Sequence, residues 1–145
     1  MNNNLEEAVK PIDFVDGKLL ILDQKELPFN EIYLEITEPY GLIKAIKELS
    51  IRGAPLLGLA GIYGLYFSSL NCNDFSDLEN YSLKIRNARP TAVNLFWAIN
   101  RMLSLPEKVF ELFLEEAKNI EREDEEMNLD IATLGSSLIP FNRTA

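Results

Sequence analysis

Short runs rich in apolar residues near the start of the chain have the pattern of β-strands. Residues 12–15 and 18–22 form two such runs. An Asp-Gly dipeptide separates them, and this dipeptide suits the positive φ angles of a tight hairpin turn. A third run, residues 32–37, alternates cleanly, and its apolar residues Ile32, Leu34 and Ile36 fall on one face. The pattern predicts a small antiparallel β-sheet over about residues 12–37.

From about residue 38 to about residue 138 the apolar positions recur every three or four residues, which is the period of amphipathic helices. We expect Thr37 to cap the first helix. Further helices are expected over residues 54–70, from about Ser76, after Pro90, and from a capping box at Ser104 and Glu107 onward. The last is one long helix or two helices joined near Asp124. The predicted fold is α+β, with a small N-terminal antiparallel β-sheet followed by a helical bundle.

The helical period also predicts which side chains face the core. In the first helix they are Leu42, Ile43, Ile46 and Leu49, and in the third they are Leu78, Tyr81 and Ile85. The second helix, residues 54–70, is expected to be buried as a whole. In the fourth they are Val93, Phe96, Trp97, Ile99 and Leu103. The last helix carries one apolar stripe, whose far end we expect to pack against a partner surface. The stripe consists of Phe110, Phe113, Leu114, Ala117, Ile120, Met127, Ile131, Leu134 and Leu138.

Composition narrows the class of protein. A chain of 145 residues with 47% hydrophobic residues has the size and apolar content of one globular domain. Its net charge of −9 disfavours nucleic acid and anionic membranes as partners. Residues 53–73 carry no charge, but their glycines and serines and the lack of a basic flank favour a buried helix over a membrane span. The first seven residues lack the pattern of a secretory signal, so we expect a cytoplasmic protein.

The chain contains no histidine and one cysteine, Cys72. This composition excludes imidazole catalysis, an internal disulfide, and a zinc site built from Cys and His. Cys72 lies in the polar segment Asn-Cys-Asn-Asp, which offers no base or cation, so an inert thiol is favoured over a nucleophile. We expect no metal and no catalytic residue in this chain.

Two loops combine an arginine with a proline ahead of an apolar helix: Arg52-Gly53-Ala54-Pro55 and Arg89-Pro90-Thr91. Proline favours the first turn of a helix, where free N–H groups and the positive dipole end attract an anion. Arginine binds phosphate through two parallel hydrogen bonds, and a glycine lets a ligand approach the backbone. The two loops could hold one phosphate. The alternative is that both arginines are ordinary loop residues.

Other polar and small residues near these loops leave more than one interpretation open. Gly58, Gly61 and Gly64 follow the first loop at three-residue spacing, which favours close packing against a neighbouring helix over a ligand role. Asn94 follows the second loop, and it is either a hydrogen-bonding residue of the core or part of a site.

The two loops, read with the residues after them, resemble the N-terminal signatures of the methylthioribose-1-phosphate isomerase family. The runs are Ile-Arg-Gly-Ala-Pro-Leu-Leu-Gly-Leu-Ala from residue 51 and Ala-Arg-Pro-Thr-Ala-Val-Asn-Leu-Phe-Trp-Ala from residue 88. Shorter similarities occur at residues 22–24, 27–28, 130–132 and 139–140. The wider superfamily includes ribose-1,5-bisphosphate isomerase and the alpha, beta and delta subunits of the exchange factor for translation initiation factor 2.

The resemblance implies the interconversion of 5-methylthioribose 1-phosphate and 5-methylthioribulose 1-phosphate in methionine salvage. It implies that Arg52, Gly53, Ala54 and Arg89 bind the sugar phosphate, that no cofactor takes part, and that the protein is a homodimer. The family's proposed catalytic Cys and Asp lie in a Rossmann-like C-terminal domain. We expect that domain to be absent from this chain, which makes residues 1–145 an N-terminal substrate-binding domain, inactive alone. The alternative is a non-catalytic regulatory module like the exchange-factor subunits.

Overall fold

The computed structural model describes residues 9–72, 74–106 and 110–139. Within these ranges three strands precede five helices. They are β1 (Ile12–Val15), β2 (Lys18–Leu22), β3 (Tyr33–Ile36), α1 (Pro39–Lys47), α2 (Ala54–Asn71), α3 (Phe75–Ala88), α4 (Val93–Leu103) and α5 (Phe110–Ser137). The α+β class predicted from the sequence is confirmed.

The three strands form one antiparallel sheet in the order β1-β2-β3. The hairpin between β1 and β2 turns at Asp16 and Gly17, whose φ angles are 52° and 78°. The predicted hairpin and the bounds of its two strands are therefore confirmed. On β3, Ile36 is buried and Leu34 is half-buried, whereas Ile32 lies ahead of the strand and is exposed, so the strand is shorter than the predicted run of residues 32–37.

Helix α2 is the centre of the helical layer. Every residue from Leu57 to Ser68 is buried, because α1, α3, α4 and α5 all pack against this helix. The prediction of a buried helix over this uncharged segment is confirmed. Among the described residues, no helix combines the length and the hydropathy that a bilayer crossing requires.

The glycines of α2 allow its neighbours to approach closely. A Cβ at Gly61 would lie 2.5 Å from Leu95 Cδ1, and a Cβ at Gly64 would lie 2.8 Å from Leu42 Cδ2. Both distances are shorter than side-chain carbons tolerate, so a larger residue would displace the Leu95 or Leu42 side chain from its place in the core. The interpretation of these glycines as packing residues is confirmed.

The ends of α1 differ from the sequence-based expectation. Glu38, not Thr37, is the N-cap residue, because Pro39 sets the first turn one residue later. The helix ends with Leu49 in the left-handed region at φ 64°, and the Ser50 N–H donates to Ala45 O at 2.9 Å. This is a Schellman-type ending, which turns Leu49 outward. The prediction that Leu49 faces inward is therefore wrong.

Helix α3 largely follows its predicted pattern. Asp74 caps it by accepting a hydrogen bond from the Asp77 N–H at 3.0 Å. Leu78 and Ile85 are buried, and Tyr81 is half-buried. The inward face predicted for this helix is confirmed for the two aliphatic residues.

The inward face predicted for α4 is partly wrong. Val93 is 77% exposed and Trp97 is 50% exposed. The buried residues are Leu95, Ala98, Ile99 and Met102, with Phe96 and Leu103 half-buried. Leu95 and Ile99 contact α2 at Gly61, so the packing against α2 determines which side of α4 is buried.

Helix α5 is one continuous helix, which confirms the first of the two predicted options. Its first half packs on α2 through Phe113, Ala117 and Ile120. Its second half is exposed, including an apolar stripe of Met127, Ile131, Leu134 and Leu138. Ser104 is the C-cap residue of α4, so its predicted role as an N-cap is wrong, and Glu107 lies outside the described residues.

Candidate functional site

The first arginine loop leads directly into α2. Gly53 is the N-cap residue with φ 105°, a conformation that favours glycine, and Ala54 and Pro55 form the first turn. The first turn has no side-chain cap and no acidic residue. Arg52 is exposed, and its Nη2 donates to Gln24 O at 2.8 Å, while Gln24 Nε2 donates back to Arg52 O at 3.3 Å. This reciprocal pair anchors the loop to the segment after β2.

The second arginine loop is a short turn between α3 and α4. Arg89 is the half-buried C-cap residue of α3, and its carbonyl accepts a hydrogen bond from the Ala92 N–H at 3.0 Å. Helix α4 begins only at Val93, with Ala92 as its N-cap and no side-chain cap. Pro90 lies in the turn, so the prediction that Pro90 starts this helix is wrong. The first turn of α4 also contains no acidic residue.

The beginnings of α2 and α4 lie side by side. A Cβ at Gly58 would lie 3.4 Å from Asn94 O, and one turn further along α2 a Cβ at Gly61 would lie 3.6 Å from Ile99 Cγ1. The two helices therefore advance in the same direction, with their N-terminal ends together. Two positive dipole ends and two sets of first-turn N–H groups are concentrated in one region of the surface, which favours an anion there.

A cleft of about 440 Å³ opens beside these two helix beginnings, between α2, α4 and α5. We call it the Trp97 cleft. Its walls include Pro55, Gly58, Val93, Asn94, Trp97 and Met127. Asn94 is half-buried and belongs to the cleft wall, so it is not a residue of the closed core. Neither Arg52 nor Arg89 is among the lining residues, although Pro55 of the first arginine loop is.

Arg101 connects α4 to α5 at the edge of the Trp97 cleft. Its Nη1 and Nη2 donate to the two carboxylate oxygens of Glu123 at 2.6 and 2.8 Å, and its Nε donates to Glu116. The guanidinium also lies over the Trp97 ring, 5.4 Å from its centroid. The hydrogen bond from Arg101 holds the pKa of Glu123 below its usual range, and that of Arg101 is raised in turn.

Arg86 connects the end of α3 to α4 across the turn that contains Arg89. One of its guanidinium nitrogens donates to Asn100 Oδ1, and its guanidinium lies over the Phe96 ring at 5.6 Å. The Arg86 carbonyl accepts a hydrogen bond from the Arg89 N–H at 3.3 Å. These contacts hold the turn in place by joining the end of α3 to α4.

The sequence did not reveal the roles of Arg86, Arg101 and Trp97. The partners of Arg101 lie 15 and 22 residues away along the chain, so no local spacing indicates them. The sequence of α4 does contain one indication of the Trp97 cleft. Val93 and Trp97 are separated by one turn and are offset from the buried residues Leu95 and Ile99, so α4 has two apolar faces.

Cys72 is half-buried at the end of α2. Burial raises the pKa of its thiol, and the nearby carboxylates of Asp77 and Asp74 raise it further. Both effects disfavour the thiolate, which supports the interpretation of an inert thiol. Within the part of the chain that the structure describes, no cluster of Cys, Asp or Glu has the arrangement of a metal site.

Comparison with known proteins extends the similarity beyond the two loops. Methylthioribose-1-phosphate isomerase 2 of Pseudothermotoga lettingae is 40% identical over 143 residues, which cover 91% of this chain and 41% of that protein. The methylthioribose-1-phosphate isomerase of Sulfurihydrogenibium sp. is 39% identical over 135 residues, covering 91% and 39%. The chain thus spans about two fifths of the length of the curated relatives it matches.

Solved structures share the fold. The crystal structure of 5-methylthioribose 1-phosphate isomerase from Pyrococcus horikoshii OT3 matches with a TM-score of 0.84 and 27% identity, covering 92% of this chain and 42% of that one. The delta subunit of translation initiation factor eIF-2B from A. fulgidus matches with a TM-score of 0.72 and 33% identity, covering 82% and 38%. The resemblance found in the sequence is confirmed. Residues 50–144 match the profile described as the Initiation factor 2 subunit family, and the chain belongs to that family.

Proposed function

We propose that residues 1–145 are the N-terminal, substrate-binding part of a methylthioribose-1-phosphate isomerase, which interconverts 5-methylthioribose 1-phosphate and 5-methylthioribulose 1-phosphate in methionine salvage. The observation that carries the proposal is the pair of uncapped helix beginnings, each preceded by an arginine loop, in a chain whose relatives bear that name. We also propose that the protein is cytoplasmic, because the negative charge of a phosphorylated sugar keeps that sugar from crossing the cell membrane.

The phosphate is the part of the substrate that these residues recognise. A phosphate dianion at the adjoining helix ends accepts hydrogen bonds from first-turn N–H groups of α2 and α4, and Gly53 leaves room for it to approach the backbone. Arg52 and Arg89 add charge-assisted hydrogen bonds. A guanidinium has five N–H donors, so the bond from Arg52 to Gln24 orients the side chain and leaves other donors for the ligand.

This chain binds and orients the substrate but does not supply the proton transfers of the isomerisation. It has no histidine, and its one cysteine has a raised pKa. In the proposed enzyme, catalytic groups come from the part of the relatives that this chain does not match.

We expect the purified chain to bind 5-methylthioribose 1-phosphate in calorimetry and to show no turnover of it. The matched control is the Arg52→Ala, Arg89→Ala double variant, which removes both guanidinium groups and should lose the heat of binding. Turnover that scales with the concentration of the chain would contradict the proposal that it only binds. An absence of binding by the unmodified chain would contradict the proposed function itself.

We further propose that the chain associates with a second copy through the second half of α5. Met127, Ile131 and Leu134 lie about one turn apart on α5 and are exposed, as is Leu138 just after its end, and such an arrangement is typical of a helix face that packs against a partner. Light scattering should detect a dimer, and Leu134→Glu should convert it to a monomer because a buried carboxylate is costly. Leu83→Glu, at an exposed position of α3, is the control. A monomer whose amides are protected from hydrogen exchange through Leu138 would contradict this proposal.

A regulatory module is the second candidate function. The delta subunit of eIF-2B from A. fulgidus is 33% identical to this chain, a higher identity than the 27% found for the isomerase from P. horikoshii, although its TM-score is lower. Such a module has no requirement to bind a thiosugar phosphate. The calorimetric experiment therefore separates the two candidates, since binding that depends on Arg52 and Arg89 supports the isomerase.

A further inference from the structure

A second, smaller cleft lies between α1 and α3 and shares no lining residue with the Trp97 cleft. Its volume is about 230 Å³. We call it the α1–α3 groove. None of the described residues that line it is acidic, and they are Tyr40, Ile43, Lys47, Lys84 and Asn87. Lys47 is the last residue of α1 and Asn87 is the last but one of α3, so the groove reaches the ends of both helices.

The ends of α1 and α3 lead into the two arginine loops. Asn87 precedes Arg89 by two residues, and Lys84 precedes it by five, which is about 7.5 Å along a helix axis. Arg52 follows Lys47 by five residues. The Debye length at physiological ionic strength is about 8 Å, so an anion at Arg89 is within range of the charge of Lys84.

The cations in this region have no acidic partners. Among the described residues, the lysines and arginines that form ion pairs are Lys10, Lys18, Lys25, Lys44, Arg101 and Arg122. Those without an ion pair to any described carboxylate are Lys47, Arg52, Lys84, Arg86, Arg89 and Lys118. All of these except Lys118 lie in two short segments, 47–52 and 84–89, at the ends of α1 and α3.

The dipoles of α1 and α3 do not cancel this positive charge. A helix carries about half a negative charge at its C-terminal end, so the two ends contribute about one negative charge in total. The unpaired side chains of segments 47–52 and 84–89 carry five positive charges. A positive potential therefore remains in this region of a chain whose net charge is −9.

Lys84 is oriented at the surface by two aromatic side chains. Its Nζ donates to Tyr40 OH at 2.9 Å and lies 5.2 and 5.1 Å from the ring centroids of Tyr40 and Tyr81. The ammonium group nevertheless stays exposed, as does that of Lys47. An exposed charge attracts an anion from a distance, but water and salt weaken any direct ion pair that it forms. This exposure favours a role in approach over a role in the bound complex.

We propose that the α1–α3 groove guides the anionic sugar phosphate to the arginine loops, and that Lys47 and Lys84 increase its association rate without contacting it in the bound state. A phosphate dianion is repelled by the net charge of this chain, and unpaired cations beside the site lower the barrier to its approach. The inference rests on the proposed function, since it requires the phosphate to bind at the beginnings of α2 and α4.

Charge reversal of each lysine tests this inference. The variants Lys47→Glu and Lys84→Glu are each titrated with 5-methylthioribose 1-phosphate. Calorimetry gives Kd, line broadening of the phosphorus NMR signal of the ligand gives koff, and the ratio koff/Kd gives kon. At about 20 mM ionic strength we expect each variant to lower kon about threefold to tenfold with unchanged koff. At about 0.5 M salt the loss should fall below about twofold, and Lys84→Arg should keep the original kon.

Lys118→Glu is the matched control, because it changes the net charge by the same amount at another exposed, unpaired lysine. Pro55, near the beginning of α2, lines the Trp97 cleft together with Met127, whereas Tyr63, about 12 Å further along α2, donates to Glu121. Lys118 precedes Glu121 on α5, so it lies still further from the beginning of α2. We expect Lys118→Glu to change kon by less than about twofold.

The outcomes separate failure of this inference from failure of the proposed function. A raised koff with unchanged kon would show a direct contact, and an equal loss of kon in Lys118→Glu would show an effect of net charge alone. A lower melting temperature with unchanged kon would show that the lysines only offset the helix dipoles. Each of these results would overturn the guiding role and leave the phosphate site intact. Failure of the unmodified chain to bind the sugar phosphate would overturn the proposed function itself.

Discussion

Alanine in place of Arg52 or Arg89 in a full-length relative that carries the same two loops should lower kcat/KM by roughly 30-fold to several thousandfold. Truncating one partner of a desolvated, hydrogen-bonded charge pair costs about 2 to 5 kcal/mol, and every 1.4 kcal/mol is about tenfold. Lysine should restore little of the loss, because it keeps the charge but lacks the planar fork. Steady-state kinetics on purified variants measures the effect.

A double-mutant cycle tests whether both arginines bind the same phosphate. If they do, the two losses should not add, because the second truncation removes a contact that the first has already weakened. Melting temperatures provide the control, since Arg52 also donates to Gln24 O and a purely structural arginine would lower stability without changing kcat/KM. Two variants with full activity, or losses that simply add, would rule out the shared phosphate.

Phe113→Ala should lower the free energy of unfolding of this chain by about 3 to 5 kcal/mol. The Phe113 side chain is completely buried where α5 packs on α2, and removing a buried phenyl ring leaves a cavity that the surrounding helices fill only in part. Small domains have a total stability of about 5 to 15 kcal/mol, so the loss is a large share of it. Urea unfolding followed by circular dichroism measures the change.

Phe29→Ala is the matched control for Phe113→Ala, because Phe29 is 89% exposed in the segment after β2. The same chemical change at this position should alter the free energy of unfolding by no more than about 0.5 kcal/mol. Similar losses in the two variants would show that α5 does not pack on α2 as described.

The elements that the sequence predicted correctly are those set by neighbouring residues. The hairpin follows from an Asp-Gly dipeptide between two short apolar runs, and its φ angles of 52° and 78° are a local property of Asp16 and Gly17. The burial of α2 was equally predictable, because a long stretch without charge has to be buried. The arginine loops were also visible, since the position of an arginine and a proline before a helix is local.

The features that the sequence did not predict depend on residues far apart in the chain. The buried side of α4 is the side that fits the glycines of α2, more than thirty residues earlier, so the period within α4 could not distinguish Trp97 from Leu95. The cap of α1 was misplaced by one residue because Thr37 has the better capping side chain, whereas Pro39 determines where the helix starts. The Trp97 cleft is formed by three helices, and the second apolar face of α4, at Val93 and Trp97, is the one indication of it within a single helix.

The burial of α2 on all sides restricts how its sequence is free to vary in evolution. Each position from Leu57 to Ser68 is buried in the helical layer, so a change in volume at one of them has to be matched by a change in the surrounding residues. Substitutions at Gly61 and Gly64 are the most restricted, because Leu95 and Leu42 occupy the space that a side chain would need. Divergence among relatives should therefore accumulate on the outer face of α3, with α2 changing slowly and in concert with its neighbours.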